Sequence, residues 1–137
     1  MTSHPIPGSL RKQVIDRASR RCEYCLMPQD LSAYSHEIDH ILAIKHGGKT
    51  ETSNLALACL FCNRYKGADF ATIDLASGRI VPLFHPRRQV WKEHFQLSSA
   101  RIAGITDIGK ATARLLKFNE SKRLRDRQIL MRQGLYP

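Results

Sequence analysis

The sequence predicts one small α+β domain assembled around a metal clamp. Two Cys-x-x-Cys pairs, Cys22/Cys25 and Cys59/Cys62, use every cysteine in the chain. Short runs with the alternation of strands sit between segments with the period of helices. The 137 residues suit one domain with a modest core, and no repeat or linker divides them. The expected organisation is an N-terminal helix (1–21), a cysteine-bounded core (22–67), and a β-hairpin with basic helices (68–137).

Taken in order, residues 1–8 carry two prolines and a glycine and read as an extended start. Ser9 can cap a helix running to about Ser19, with Leu10, Val14 and Ala18 on one face. The segment LMPQDLSAYS has no clean period and reads as a loop. Ser35 to Leu42 permits a strand, ending before the polar turn KHGGKTETSN. LALAC after Asn54 is short enough for a strand or a helical turn, and periodicity does not decide between them. A helix follows from about Leu60, with Gly67 as its C-cap.

ATIDL, the turn ASG and RIVPLF form a β-hairpin pattern. RRQVWKEHF fits a short helix or a loop, and Arg101 to Ile105 a short strand. Thr106 caps a helix over DIGKATARLLKF with an apolar face of Ile108, Ala111, Leu115 and Leu116. The last helix, ESKRLRDRQILMRQ, ends at Gly134 and can pack through Leu124, Ile129 and Leu130.

Charge points to a partner. The chain has 22 Lys and Arg against 12 Asp and Glu, a net charge of +10, and such a balance suits a polyanion, nucleic acid first. No stretch reaches the roughly 20 apolar residues of a membrane span, and MTSHPIPGSLRKQ has no apolar signal core. A cytoplasmic setting is therefore expected, where cysteines serve as metal ligands more often than as disulfides.

Each Cys-x-x-Cys knuckle turns two thiolates to one side, so two knuckles complete a tetrahedral site, for which zinc is the expected metal. Four thiolates leave no open coordination position, so this zinc is structural. A redox pair is the competing reading, but a thioredoxin-like site needs a βαβ setting that the sequence does not show. The clamp spans a 33-residue insertion that contains Asp39-His40 and Asn54.

Cutting a phosphodiester requires an activated water, charge at the phosphate and help for the leaving oxygen. Asp39 offers a hard carboxylate to a divalent ion, His40 a base near neutral pH, and Asn63 an amide oxygen. Neighbours on a regular strand face opposite ways, so Asp39 and His40 are expected at a bulge or strand end, or with the histidine reaching round from the far side, and the sequence does not decide among these. By itself an Asp-His pair is ordinary surface sequence, and isolated asparagines are turn residues. His46 reads as a solvated loop residue, and His85 and His94 as packing near Trp91 or solvent. Arg64 and Lys66 are candidates for phosphate contact, with Arg114, Arg123, Arg125 and Arg127 as a basic face for the nucleic-acid backbone.

Residues 22–67 resemble the HNH endonuclease family, whose ββα-metal motif is often flanked by two such knuckles. The resemblance rests on His36-Glu-Ile-Asp39-His40, Gly47-Gly48, Asn54-Leu55 and Cys59-Leu-Phe-Cys62-Asn63-Arg64-Tyr-Lys66-Gly67. It implies a small ββα-metal core, with His40 as general base and Asp39 and Asn63 as ligands of a catalytic Mg2+ or Mn2+. Asn54 would brace the loop that holds His40, and Asn63 stands where histidine is frequent, making this an H-N-N version. LFHPRRQVWKEHF and GITDIGKATARLLKFN resemble a tail of some small bacterial members, with His85 and Lys110 in place of asparagine and arginine. The expected activity is metal-dependent hydrolysis of DNA, with RNA as a second substrate class. The alternative is a zinc-stabilised nucleic-acid-binding module with no catalysis.

Overall fold

The computed structural model describes residues 5–137. Of the extended start expected over 1–8, residues 1–4 lie outside the described part. Helix α1 (Gly8–Arg17) follows Pro7, which occupies the N-cap position without a side-chain hydrogen bond. Ser9, expected there, lies inside the helix; Pro7 has the extended backbone of a cap and the chain turns helical directly after it.

Strands β1 (Glu37–His40) and β2 (Leu55–Ala58) form an antiparallel hairpin that pairs Glu37 with Ala58, Asp39 with Ala56 and His40 with Leu55. LALAC is thus a strand, and all four residues of β2 are buried. Alternation gives the hairpin two faces. Leu55, Leu57 and Ile38 pack against Val14 and Leu10 of α1. Ala56 and Ala58 turn the other way, into the main core with the four cysteines. Their small side chains let helix α2 (Leu60–Lys66) lie close. Cys59 caps α2, its sulfur accepting from the Cys62 N–H, and Gly67 ends it at a positive φ of 52°.

Beyond this ββα unit come the expected hairpin, β3 (Ala71–Ile73) with β4 (Ile80–Pro82), and a short helix α3 (Trp91–His94). A further hairpin joins β5 (Phe95–Ser98) to β6 (Arg101–Gly104). Only its second strand was anticipated. Helix α4 (Asp107–Leu115) is capped by Thr106 Oγ1, which accepts from the Gly109 N–H at 3.0 Å. No helix among the described residues is long and apolar enough to cross a membrane.

Helix α5 (Ser121–Arg132) departs from expectation in what it buries. Ile129 is exposed, while Arg123 and Arg127, one turn apart, face inward. Arg127 donates to the Ala100 carbonyl at 2.7 Å and to Asn119 Oδ1 at 3.0 Å. These two arginines are not part of an exposed basic face; their guanidinium groups donate to carbonyls, an amide oxygen and cysteine sulfurs elsewhere in the chain, which favours their burial.

Close backbone contact fixes α4 on this scaffold. A Cβ at Gly109 would lie 1.9 Å from the His94 carbonyl oxygen and 3.2 Å from the Gly104 Cα. Gly109→Ala should therefore cost about 1–3 kcal/mol through overpacking, read as a lowered midpoint in denaturant unfolding of the zinc-loaded protein.

Candidate active site and zinc centre

The sulfurs of Cys22, Cys25, Cys59 and Cys62 all lie within 4.8 Å of one another, and every one of these residues is buried. Cys25 and Cys59, from different knuckles, approach to 3.6 Å between sulfurs. Zinc–sulfur bonds of about 2.3 Å in a tetrahedron separate sulfurs by about 3.8 Å, so the cluster fits a zinc ion. Within each knuckle the second cysteine's N–H points at the first sulfur at 3.4 Å. Such N–H groups favour thiolate over thiol.

Arg123 completes this centre from 61 residues away. Its guanidinium donates to Cys62 Sγ at 3.0 Å and lies 3.7 Å from Cys59 Sγ. Burial alone would lower its pKa, but the thiolates of Cys62, Cys25 and Cys59 outweigh that and raise it further above the usual arginine range. The same side chain donates to the carbonyls of Leu116 and Lys117 at the end of α4. Nothing local in the sequence marks Arg123 for this role.

On the helix-facing side of β1, Asp39 is almost fully buried, at 4% exposure, and its carboxylate is occupied. Tyr24 donates its hydroxyl to Oδ2 at 2.8 Å, and the Lys66 ammonium lies 3.3 Å from Oδ1 and 3.2 Å from Oδ2. Burial raises the Asp39 pKa, opposed by Lys66 and Tyr24, and burial followed by the Asp39 charge lifts the Tyr24 phenol well above its ordinary value. Lys66 also donates to the carbonyls of His40 and Ile41, at 3.2 and 3.0 Å. Expected at a phosphate, Lys66 is instead an internal cation at 2% exposure, because β1 and the residue after it present it with a carboxylate and two carbonyls.

Asn63, three residues before Lys66, points to the same strand face but donates its amide to a different acid, Glu37. Asp39 and Asn63 thus take separate partners. As arranged, the Asp39 carboxylate contacts a buried ammonium and a phenol hydroxyl.

His40 is the last residue of β1, with no bulge before it. Its side chain leaves on the face opposite Asp39, half-buried, and Nε2 hydrogen-bonds Thr50 Oγ1 at 2.9 Å. The loop from Ile41 to Asn54 is closed by Asn54, whose Oδ1 accepts from the Leu42 N–H at 2.8 Å. Its Nδ2 donates to the carbonyls of Leu42 and Lys49, each at 2.9 Å. Gly48 has no room for a side chain here, since a Cβ would lie 1.7 Å from the Leu42 carbonyl oxygen. Arg17 ties the far end of the loop to α1 by donating to Thr52 and Leu55 carbonyls. Arg64 and Arg114 are exposed; Arg114 also donates to the Ile73 carbonyl. His46 stacks edge-on against Phe70, and His94 bonds Thr106 at 2.7 Å and packs on Phe84.

A two-stranded hairpin and helix, joined through a four-cysteine clamp and carrying a histidine at the strand end, form a ββα unit of the kind found in HNH cores. Residues 22–69, about a third of the chain, match the HNH endonuclease family model. Neither a curated protein nor a solved structure matches the chain. Sequence reasoning missed Glu37, Tyr24 and Thr50 and put Arg123 on an exposed face; of the three missed, Glu37 alone left a local signal, as an acid two residues before Asp39 and hence on the same strand face.

Two outcomes are expected. Arg123→Met should accelerate zinc release to a chelating dye by about 10-fold or more, the usual scale for removing a partner of metal ligands, with secondary structure retained by circular dichroism. Asn54→Ala, which strips the part-buried Leu42 N–H of its acceptor, should lower unfolding free energy by about 1–3 kcal/mol and speed hydrogen exchange in the loop.

Proposed function

We propose that this chain is a metal-dependent HNH endonuclease that hydrolyses DNA phosphodiester bonds. The observation that supports this most is that the segment matching the family folds as a ββα unit with His40 at the end of its first strand. Asn54 anchors the loop beyond it, so the histidine backbone is held from both sides: by Lys66 on its carbonyl and by the loop that follows. In this reading the His40 imidazole accepts a proton from water as the water oxygen attacks phosphorus. The bond to the 3′ oxygen breaks, and that oxygen leaves with the electron pair. Thr50 fixes the plane of the ring through its hydrogen bond to Nε2. A Mg2+ or Mn2+ ion bound at Asn63 would supply the charge that a phosphate in such a reaction requires.

DNA would meet exposed cations around this unit. Arg64 projects from α2, and Lys49 and Arg88 flank a groove of about 730 Å3 bounded by the Asn54 loop and the Leu83–Gln89 segment. Backbone contacts of this kind give affinity that falls with salt and carry no sequence information. A reducing, cytoplasmic setting accompanies the reading, since it keeps the four thiols available to zinc.

The non-catalytic zinc module remains the second reading, favoured by one observation: Asp39 is already neutralised by Lys66. Cleavage of supercoiled plasmid by the zinc-loaded protein across a panel of divalent ions separates the two. The nuclease predicts metal-dependent nicking, and His40→Ala should reduce its rate by roughly 10²-fold or more while zinc content and DNA affinity stay the same. Salt-sensitive DNA binding without cleavage under any metal would instead establish the module.

A further inference from the structure

We propose that the cleft between β6 and α4 is a second contact site for the phosphate backbone of duplex nucleic acid, separate from the groove beside the Asn54 loop. Its class of partner rests on the nucleic-acid reading above, and the cleft itself on the placement of its charges.

Four cations line this cleft of about 630 Å3: Arg101 from β6, Lys110 and Arg114 from α4, and Lys117 just beyond that helix. All four are exposed. Cations elsewhere on the surface are matched locally, Lys12 by Asp16, Arg20 by Asp30 and Lys122 by Asp126. Among the described residues no carboxylate forms an ion pair with any of the four in the cleft. Glu120 is the one acid on its wall, and it accepts instead from the Tyr65 hydroxyl at 3.3 Å. Lys110 and Arg114 stand one helical turn apart, a spacing at which like charges repel and weaken a helix. An anion laid in the cleft relieves that repulsion.

The walls are held in place. A Cβ at Gly104 would lie 2.2 Å from the Lys110 backbone nitrogen, so β6 and α4 meet backbone to backbone and fix Arg101 relative to the helix cations. Arg114 donates to the Ile73 carbonyl, which restrains its side chain. The Lys117 ammonium lies 4.7 Å from the centre of the Tyr65 ring, on α2 and next to the exposed Arg64. Positive charge thus runs from the helix of the ββα unit onto the C-terminal extension. A polymer with phosphates at regular spacing can follow such a track, and a duplex carries one charge every ~1.7 Å of its axis. Lysine and arginine contacts of this kind position the backbone and read no bases. Continuity with α2 favours nucleic acid over an anionic membrane, since one polyanion then meets both surfaces.

The test measures binding of the full, zinc-loaded chain to a random-sequence DNA duplex over a range of salt, without Mg2+ or Mn2+. In Lys110→Gln/Lys117→Gln the plot of log affinity against log salt should become shallower by about 0.9 for each lost contact, with zinc content and circular dichroism unchanged. Lys92→Gln/Arg132→Gln removes the same charge from exposed positions outside the cleft and should keep the wild-type slope. In the wild type, bound duplex should shield Lys110 and Lys117 from acetylation while Lys92 stays reactive, a mass-spectrometric readout that needs no variant to fold. An unchanged slope in the folded cleft variant, an equal loss in both variants, unshielded Lys110 and Lys117, or no salt-sensitive binding by wild type would each overturn the assignment. So would lost binding to phosphatidylserine vesicles in the cleft variant with its DNA slope intact, which would make the cleft a membrane contact. Cleavage plays no part in these measurements. A shallower slope in a protein that nicks nothing would sink the nuclease reading and leave the cleft standing; metal-dependent nicking with an indifferent cleft would do the reverse.

Discussion

The structure depends on cancelling the charge of its own cysteine cluster. Four thiolates holding one Zn2+ would carry a formal charge of about −2, and the cysteine cluster that could hold it is fully buried. Burying that charge unopposed would be costly. Arg123 supplies the opposing charge, and because it sits on α5 the compensation pulls in the C-terminal part of the chain. The same guanidinium caps the end of α4, and the Tyr136 hydroxyl donates to the Cys25 carbonyl at 2.6 Å. The helical extension is therefore part of the four-cysteine cluster's surroundings as well as an addition to the core. A chain only 42% hydrophobic gains from such support, since its apolar core alone is modest.

From that anchor the hairpin acquires its division of labour. One face of β1–β2 is apolar and covered by α1; the other is lined by alanines, which bring α2 within reach of polar side chains on β1. Pairing across this gap sets Glu37, Asp39, Asn63 and Lys66 in one layer. His40, at the strand end and on the opposite face, meets the loop instead of the layer. No distortion of β1 brings Asp39 and His40 to one side; the strand simply stops after His40, and the loop braced by Asn54 governs what surrounds the ring.

Much of this was legible from sequence, and the reasons differ by element. The cysteine clamp could be read because knuckle geometry is local, and the ββα order because each piece carries its own period and punctuation. Gly67 as a C-cap and Thr106 as an N-cap follow from residue chemistry alone. Strand β5 escaped because Trp91 to Phe95 blends a helical turn into the strand, hiding the alternation of Phe95 and Leu97 with Gln96 and Ser98. The inward arginines and Lys66 escaped for another reason. A long cationic side chain is exposed by default, and only acceptors far away in sequence, such as Asp39 for Lys66 or Cys62 for Arg123, reverse that. The exchange of partners between Asp39 and Asn63 belongs to the same class, since it is decided by helix-to-strand register.

These reversals also change what the net charge of +10 means. A sequence count assigns every cation to the surface, where it would contribute to the field that attracts a polyanion. Lys66, Arg123 and Arg127 are spent inside, against a carboxylate, thiolates and carbonyls, and Arg87 is paired with Glu23. What faces outward near the hairpin is a smaller set, Lys45, Lys49, Arg64 and Arg88, placed around the loop and α2. A duplex carries a phosphate charge every ~1.7 Å of its axis, so even this reduced set can neutralise several phosphates along one side of the ββα unit. The basic composition thus divides between different residues: interior cations hold the scaffold against its own anions, and the loop and α2 cations make up the outward charge of the ββα unit.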